Sequence, residues 1–458
     1  MQLKKDLYRV FSSNFINLLI GIVSGFLIPA FLSLDNYALF KTFTFYLTYV
    51  GILHFGLIDG IFIKYGSLYE KSINKSRLIG EHKFLLIFQL LVTLITTILG
   101  IILKDKIMIA FSIAILPINM QTLFKMFYQA LGEFKVYTKL VLITPNLLMV
   151  FNLFIIFVLK IDNYMPFIIA NIVTNYIVFI GMEIYFLSKY KGIKAEVNIS
   201  EIWNHFRIGS FVMIGNLANM FFGAADRWFV KFTLTTKDFA FYSFAVSMMA
   251  IIKVLINSVS MTFYPHLAKG KKDGNLRQIK ILLLIVGCFS SGGYFAFALI
   301  VNLFMEKYEP SLEIIAVLFA GFPAIIIINA LYINLYKVNK LEKKYVYIVL
   351  KMCLLALLLI ILTIFINKSS VLIASATTVA YYIWYFYSAK DFPELKFNNK
   401  ELIYLAIYFI NYTVSLIFFN SLTGLFVFFI VLIIFTLLIY RSEFELIVKG
   451  ILAKGFKR

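Results

Sequence analysis

Four cationic residues lie inside long apolar stretches of this sequence: Lys125, Arg227, Lys253 and Lys351. Lysine offers a point charge and arginine a planar fork of donors, and both bind phosphate groups. Lys253 lies near the middle of its stretch, where a charge on a membrane helix costs about 2.5–3.5 kcal/mol. We predict that the four cations mark a path for an anionic head group. Snorkelling remains an alternative for Lys125, anchoring at an interface for Arg227, and an unidentified carboxylate partner for Lys253.

Asparagines form a second set, and their spacing reveals an internal repeat. Asn14 and Asn17 recur as Asn216 and Asn219 after a shift of 202 positions. The same shift aligns further positions: Gly21 with Gly223, Leu32 with Leu234, Tyr37 with Phe239, Ala38 with Ala240, and Phe40 with Tyr242. Residues three and seven positions apart share one helical face, so each half carries a polar stripe. These four asparagines, together with Asn257 one turn beyond Lys253, are predicted to line a polar seam between two related lobes.

Three acidic residues in the apolar stretches are candidates for binding a coupling ion, H⁺ or Na⁺: Asp59, Glu183 and Asp226. Solvation at an interface is the alternative for Asp59, and pairing with a neighbouring cation is the alternative for Glu183. Asp226 and Arg227 are adjacent, and adjacent residues of a helix do not face each other. His54 lies five residues from Asp59, about 140° around a regular helix, so helical geometry does not make the two an obvious pair.

Composition sets the environment of these residues. Hydrophobic residues make up 62% of the 458 residues and charged residues 14%, with mean hydropathy +0.90. A membrane core about 30 Å thick requires roughly 20 apolar residues per helical crossing, and fourteen stretches meet this requirement. They lie near 10–34, 42–63, 84–103, 107–130, 140–159, 165–188, 208–230, 239–263, 280–305, 313–335, 345–366, 371–389, 402–419 and 422–440. The prediction is an all-α integral membrane protein with about 14 transmembrane helices.

The distribution of cations predicts the topology. Of the 43 Lys and Arg residues, 31 fall in the terminal segments and even-numbered connections, and such loops are normally cytoplasmic. Both termini are therefore predicted to be cytoplasmic, and the net charge of +20 is assigned to orientation rather than to nucleic-acid binding. The predicted domains are listed in chain order: a six-span N-lobe (1–190), a cytoplasmic linker (191–207), a six-span C-lobe (208–390), a helix pair (391–440) and a basic cytoplasmic tail (441–458).

Two short segments carry a resemblance to a known family. Residues 28–40 read Ile-Pro-Ala-Phe-Leu-Ser-Leu-Asp-Asn-Tyr-Ala-Leu-Phe, and residues 55–60 read Phe-Gly-Leu-Ile-Asp-Gly. With the six-plus-six-plus-two arrangement, they resemble Wzx-type polysaccharide flippases of the multidrug/oligosaccharidyl-lipid/polysaccharide exporter superfamily. Relatives usually have glycine at the position of Ala38. The resemblance extends over nearly the whole chain, although its motifs are diffuse.

The resemblance implies a V-shaped pair of helical bundles that alternates between inward-open and outward-open forms. It implies translocation of undecaprenyl-diphosphate-linked oligosaccharide to the outer leaflet of the bacterial inner membrane, for O-antigen or other surface polysaccharide. The substrate path of such flippases is cationic, a role for which Arg227, Lys253, Lys125 and Lys351 are the candidates. Membrane lipids, a polysaccharide polymerase and the chain-length machinery are the expected partners.

Other functions remain open at this point. A lipid II flippase would share nearly all these features. A drug or cation antiporter of the same fold would place a carboxylate at the substrate site, whereas the deepest charge here is Lys253. A polysaccharide polymerase or glycosyltransferase would carry catalytic clusters in a large outer loop. The sequence contains no metal-ligand cluster, phosphate-binding glycine loop or nucleophile–base motif, so neither an enzymatic reaction nor a cofactor is predicted.

Overall fold

The computed structural model describes the backbone of residues 2–66, 72–268 and 276–455, and their side chains except those of 2–11, 255–268, 342 and 446–455. The described backbone is almost entirely helical and contains no strand. The helices are α1 (Gln2–Phe31), α2 (Leu34–Leu47), α3 (Leu57–Gly66), α4 (Lys75–Ile102), α5 (Lys106–Ala130), α6 (Phe134–Phe154), α7 (Tyr164–Lys189), α8 (Ile199–Phe222), α9 (Ala225–Thr233), α10 (Thr236–Ala268), α11 (Leu276–Ser291), α12 (Gly293–Phe304), α13 (Ser311–Ala320), α14 (Phe322–Ile327), α15 (Ile333–Val338), α16 (Glu342–Ile366), α17 (Ser370–Ser388), α18 (Asn399–Phe418) and α19 (Ser421–Gly455).

Each of the fourteen predicted stretches coincides with helix, and the chain is a multi-pass membrane protein. Within the described residues, nine helical spans are long and apolar enough to cross a membrane, and three pairs of helices bent by more than 40° raise the number to twelve. Helices α10 and α17 occupy the other two predicted stretches.

Three of the predicted stretches are bent. The bends are 64° between α2 and α3, 55° between α8 and α9, and 46° between α13 and α14. The first follows a 3₁₀ turn at Val50–His54 and has positive φ at Phe55 and Gly56, which ends the regular hydrogen-bond ladder.

The internal repeat is also present in the structure. Helix α2 begins at Leu34 and α10 at Thr236, which are 202 positions apart. The residues that precede them make equivalent contacts: Asn36 donates to the Ser33 hydroxyl at 3.0 Å, and the Thr235 hydroxyl donates to Asp238 at 2.6 Å. The aligned side chains of both copies are buried: Tyr37, Ala38, Phe40, Phe239, Ala240 and Tyr242.

The chain forms two compact units, Met1–Asn219 and Met220–Arg458. The segment expected to be a linker behaves differently from residue 199 onward, because Ile199 begins α8, which continues to Phe222. The side chain of Asn198 accepts a hydrogen bond from the Glu201 N–H at 3.1 Å and so satisfies one free donor at the start of this helix. Helix α19 is kinked at Tyr440, where the predicted last span ends and the basic tail begins.

In the first unit, α5 is the most buried span, and amide side chains connect it to its neighbours. Asn119 donates to Gln89 of α4 at 2.8 Å, and Gln121 donates to Asn175 of α7 at 3.0 Å. Thr144 of α6 donates to Gln121 at 3.1 Å. Hydrocarbon offers no hydrogen bonds, so these amides find partners in one another across the helix contacts.

Three prolines inside spans are matched by side-chain donors on neighbouring helices. A proline has no N–H, which leaves the carbonyl four residues earlier without its helical partner. The carbonyls before Pro117, Pro145 and Pro323 each accept from another helix: Ile113 from Tyr176 at 3.1 Å, Val141 from Asn17 at 3.3 Å, and Phe319 from Ser291 at 2.8 Å. Such pairs satisfy backbone groups that lipid cannot.

In the second unit, a tyrosine stripe joins α18 to the core. Tyr404, Tyr408 and Tyr412 recur every four residues on one face, and all three are buried. Tyr408 donates to the Ser291 hydroxyl at 2.7 Å, and Tyr412 donates to the carbonyl of Ala316 at 3.0 Å. The C-terminal helix pair is therefore an integral part of this unit.

Glycines bring α8 into backbone contact with α3. A Cβ added at Gly209 would lie 1.9 Å from the carbonyl oxygen of Gly56, and one added at Gly60 would lie 2.3 Å from the carbonyl oxygen of His205. Real Cβ atoms do not approach this closely, so only glycine permits this packing.

We expect Gly209→Ala to destabilise the protein strongly, because backbone rather than a flexible side chain blocks the added methyl group. Gly215 lies on the same helix, and a Cβ there would meet no atom within 4 Å. Thermal unfolding of the detergent-solubilised protein should show a lower Tm for Gly209→Ala and little change for Gly215→Ala. Equal Tm values for the two variants would contradict this packing.

Candidate functional site

Asp226 is the most completely hydrogen-bonded acid among the predicted site residues. It lies in the first turn of α9, just after the bend in its span, where the free N–H groups of a helix favour a carboxylate. Its carboxylate accepts from the Arg227 backbone N–H at 2.7 Å, from the Tyr242 hydroxyl at 2.7 Å and from the Thr377 hydroxyl at 3.5 Å. Asp226 is buried, with 4% of its surface exposed. The bend thus fixes one negative charge at a helix terminus.

Lys253 lies at the midpoint of α10, a helix of 33 residues. Its Nζ stands 5.7 Å from the centre of the Tyr381 ring, in the range of a cation–π contact. The charges of Asp226 and Arg227 both act on this ammonium. Among the described residues, no carboxylate oxygen lies within 4.0 Å of Nζ. Lys253 is therefore held by an aromatic face and by a more distant acid.

These residues form what we call the Asp226–Lys253 cluster: Asp226, Arg227, Tyr242, Lys253, Thr377 and Tyr381. The two cations and one carboxylate leave the cluster with a charge of +1. An excess cation in a low-dielectric setting attracts an anion strongly, and arginine and lysine together suit phosphate. The arrangement supplies charge and hydrogen-bond donors for binding an anionic group.

The other two predicted cations lie elsewhere. Lys351 is exposed on α16, donates to the Tyr387 hydroxyl at 3.2 Å and stands 4.3 Å from the centre of that ring. Tyr387 is six residues beyond Tyr381 on α17, about 9 Å further along the helix axis. Lys125 belongs to the first unit, where it is half-buried and has no ion-pair partner among the described residues. Within the second unit the structure therefore brings Arg227 and Lys253 together, with Lys351 further along.

The predicted asparagines have different surroundings. Asn17 donates to the α6 carbonyl of Val141, so it contributes to helix packing. Asn14 is half-buried, and both Asn216 and Asn219 are exposed on α8. The side chain of Asn257 lies outside the described residues.

His54 and Asp59, which helical geometry does not make an obvious pair, lie close together in the structure. His54 Nε2 lies 3.8 Å from Asp59 Oδ2, and both residues are buried. The geometric argument assumed a continuous helix, whereas the chain between them contains the end of the 3₁₀ turn and the positive-φ residues Phe55 and Gly56. The third predicted acid, Glu183, pairs with the buried His82 at 2.9 Å.

Sequence reasoning missed a buried ionic cluster in the first unit. The Lys64 ammonium lies 2.7 Å from Glu81 and 2.6 Å from Glu201, and His205 Nε2 lies 2.9 Å from Glu81. Tyr65 also donates to Glu81 at 2.8 Å. Lys64 falls in a predicted loop, and Glu201 and His205 fall in the predicted linker. Their positions near span ends were the only sign in the sequence that these residues could meet.

The same cluster has a donor set that metal ions use. Ligand atoms of Glu81, Glu201 and His205 lie within 4.8 Å of one another. Because the Lys64 ammonium stands within 2.7 Å of both carboxylates, it takes the position that a cation would need. We interpret this cluster as a structural ion-pair network.

Comparison with solved structures identifies the fold. No protein-family model and no curated protein sequence matches the chain. Among solved structures, the lipid II flippase MurJ in an inward closed conformation matches with TM-score 0.71 and 15% identity, covering 95% of this chain and 99% of the flippase. An inward-facing MATE family multidrug resistance transporter of the MOP superfamily matches with TM-score 0.53 and 11% identity, covering 83% of this chain and 98% of the transporter. The predicted all-α MOP/MATE-like fold is confirmed.

Proposed function

We propose that the protein is a flippase that moves undecaprenyl-diphosphate-linked oligosaccharide from the cytoplasmic to the outer leaflet of the bacterial inner membrane. The observation that carries this proposal is the net positive Asp226–Lys253 cluster, in which a cation occupies the middle of a membrane helix. A diphosphate needs such charges, whereas its prenyl tail can remain in lipid. Transport needs no covalent chemistry and no cofactor.

The proposed mechanism is alternating access. The diphosphate would bind at Arg227 and Lys253, with Lys125 as a further cationic position in the first unit. Exposed amides on α8, Asn216 and Asn219, would hydrogen-bond to sugar hydroxyls. In this scheme both termini are cytoplasmic, and a polymerase with its chain-length machinery receives the translocated unit.

The acids that can take part in ion coupling lie at the start of a bent half-helix. Asp59 and Asp226 both occupy the first turn of such a helix, α3 and α9 respectively, and both are buried. Discontinuous helices often form the ion sites of transporters because their ends offer unpaired backbone groups. Glu183 is the weaker candidate because His82 already pairs with it.

A lipid II flippase is the second candidate. The overall similarity to MurJ favours it, with TM-score 0.71 over 95% of the chain. Its substrate shares the polyprenyl-diphosphate group, so the Asp226–Lys253 cluster would serve it equally well. The two candidates differ in the sugars that the protein carries.

The test is depletion of the protein in its native host, followed by analysis of which lipid-linked glycan is stranded on the cytoplasmic leaflet. We expect a surface-polysaccharide repeat unit to accumulate there and the surface polysaccharide to be lost. Accumulation of lipid II with loss of cell-wall synthesis would favour the second candidate. Unchanged glycans together with altered drug or ion efflux would contradict both candidate functions and favour an antiporter. Complementation with the wild-type gene is the control.

A further inference from the structure

The break between α2 and α3 holds a histidine whose hydrogen bond fixes an unusual turn. The backbone N–H of Gly56 donates to His54 Nδ1 at 3.1 Å. A backbone N–H is always the donor, so Nδ1 accepts and carries no proton in this structure. The turn that it supports includes Phe55 at φ 50° and Gly56 at φ 84°. A positive φ is unfavourable for phenylalanine, so the turn depends on its hydrogen bonds.

The other ring nitrogen faces a buried acid. In the neutral imidazole Nε2 carries the proton, and it lies 3.8 Å from Asp59 Oδ2, too far for a hydrogen bond but within range of an ion pair. Asp59 is 7% exposed and His54 is 5% exposed. With His54 neutral and Asp59 ionised, the two side chains together carry one buried negative charge. One further proton would neutralise this charge.

Among the described residues, no lysine or arginine nitrogen lies within 4.0 Å of the Asp59 carboxylate. Gln89 of α4 donates to the carbonyl of Leu53 at 3.1 Å, and Asn119 of α5 donates to that of Val50 at 3.3 Å. Asn119 Oδ1 is buried and has no hydrogen-bond partner in the described part of the chain. The elements packed on the break thus contribute amides, and α8 contributes backbone. Among the described groups, Asp59 is the charged group within 4.0 Å of His54.

We propose that His54 is a proton-binding site that controls the Phe55–Gly56 turn. A proton from the aqueous phase adds to the Nδ1 lone pair and gives an imidazolium whose positive charge is balanced by Asp59. Protonated Nδ1 can no longer accept, so the Gly56 N–H loses its partner and the turn loses a support. The proposal deepens the proposed function, on which it rests, by naming the proton as the coupling ion.

The close contact at Gly56 links a change in the Phe55–Gly56 turn to α8. A Cβ on Gly56 would lie 2.4 Å from the backbone N of Ser210, so α8 rests directly on this turn. The equivalent segment of the second unit, 202 positions later, is continuous helix within α10, so the repeat itself does not demand the break. A protonation-dependent turn in the first unit would therefore alter the packing of the helix that carries Asn216 and Asn219.

The proton can be followed without a transport assay. We would place the full-length protein in nanodiscs of phosphatidylethanolamine and phosphatidylglycerol and record ¹⁵N NMR spectra of labelled histidine between about pH 3.5 and pH 8. A tryptophan introduced by Phe55→Trp reports on the turn by fluorescence. We expect His54 Nδ1 to gain a proton as pH falls, with a parallel change in the emission of the Phe55→Trp protein.

Two substitutions at the pair test the assignment. His54→Asn keeps an acceptor for the Gly56 N–H but cannot gain a proton, so the Phe55→Trp/His54→Asn protein should show no pH response. Asp59→Asn removes the counter-charge, so the response should move to lower pH. His82→Gln is the matched control, because it replaces another buried, acid-paired histidine of the same unit, and the response should persist.

The outcomes are decisive in either direction. A pH response that survives His54→Asn, or a His54 signal that does not titrate, would overturn the proposal. A response to replacing K⁺ with Na⁺ at constant pH would also overturn it, in favour of a sodium site. If the His54→Asn protein does not fold, the shift of the pH response to lower pH in the Asp59→Asn protein tests the proposal instead. These readouts are independent of the glycan stranded on depletion, so either proposal can fail without the other.

Discussion

Lys253→Ala should reduce transport of the lipid-linked substrate by roughly 10- to 100-fold, because hydrogen bonds to charged groups contribute about 1.5–3 kcal/mol. The ammonium lies at the midpoint of α10, 5.7 Å from the centre of the Tyr381 ring, and no described carboxylate is within 4.0 Å to share its charge. A diphosphate at this depth would lose its main counter-charge. Lys253→Arg should retain part of the activity, since the charge remains while its geometry changes.

The measurement is the rate of head-group translocation in proteoliposomes containing equal amounts of each variant. Lys351→Ala is the control, because Lys351 also lies in a membrane helix but is exposed and contacts Tyr387. We expect it to retain most of the transport rate. Full activity in the Lys253→Ala protein, with normal folding, would exclude the Asp226–Lys253 cluster as the binding site for the diphosphate.

Lys280→Met should destabilise the second unit by roughly 3–5 kcal/mol, which is the usual effect of removing one partner from a buried ion pair. Lys280 Nζ lies 2.7 Å from Glu401 and donates to the carbonyl of Leu395 at 2.8 Å. Only 1% of Lys280 and 4% of Glu401 are exposed. Tyr385 also donates to Glu401, so the substitution leaves a buried carboxylate with a tyrosine but no cation.

Thermal unfolding in detergent measures this effect, and a second substitution identifies its cause. Glu401→Gln added to Lys280→Met removes the stranded charge and should recover much of the lost Tm. Lys344→Met is the matched control, because Lys344 pairs with Asp391 at 2.8 Å but is 47% exposed. An exposed pair contributes about 0–1 kcal/mol, so the control should unfold near the wild-type temperature. A double variant no more stable than Lys280→Met alone would assign the loss to packing.

Much of the fold could be predicted because the membrane constrains it so strongly. Long apolar stretches permit little except helices, and the shift of 202 positions aligned α2 with α10 to the residue. The aligned Phe40 and Tyr242 are both buried in the structure. The environment of Lys253 was anticipated in part, because a charge at the centre of a span must have a compensating partner.

The bends and ion pairs could not be predicted, because they depend on contacts between distant segments. His54 Nε2 lies 3.8 Å from Asp59 Oδ2 only because Phe55 and Gly56 interrupt the helix, and helical geometry cannot anticipate an interruption. Lys64 meets Glu201 across 137 residues of sequence, a separation at which periodicity carries no information. The asparagines of α1 are predicted to line a polar seam, and the structure shows that Asn17 donates to a carbonyl on α6.

The matching of prolines with distant donors bears on how the chain is inserted into the membrane. Pro145 leaves the carbonyl of Val141 without a helical partner, and the donor, Asn17, is synthesised 124 residues earlier. When α6 leaves the translocon, the carbonyl of Val141 therefore lacks a hydrogen-bond donor within its own helix. Contact with α1 supplies that donor before α6 moves away into lipid. The nascent first helix should stay near the translocon until the sixth arrives, so assembly of this unit would accompany its synthesis.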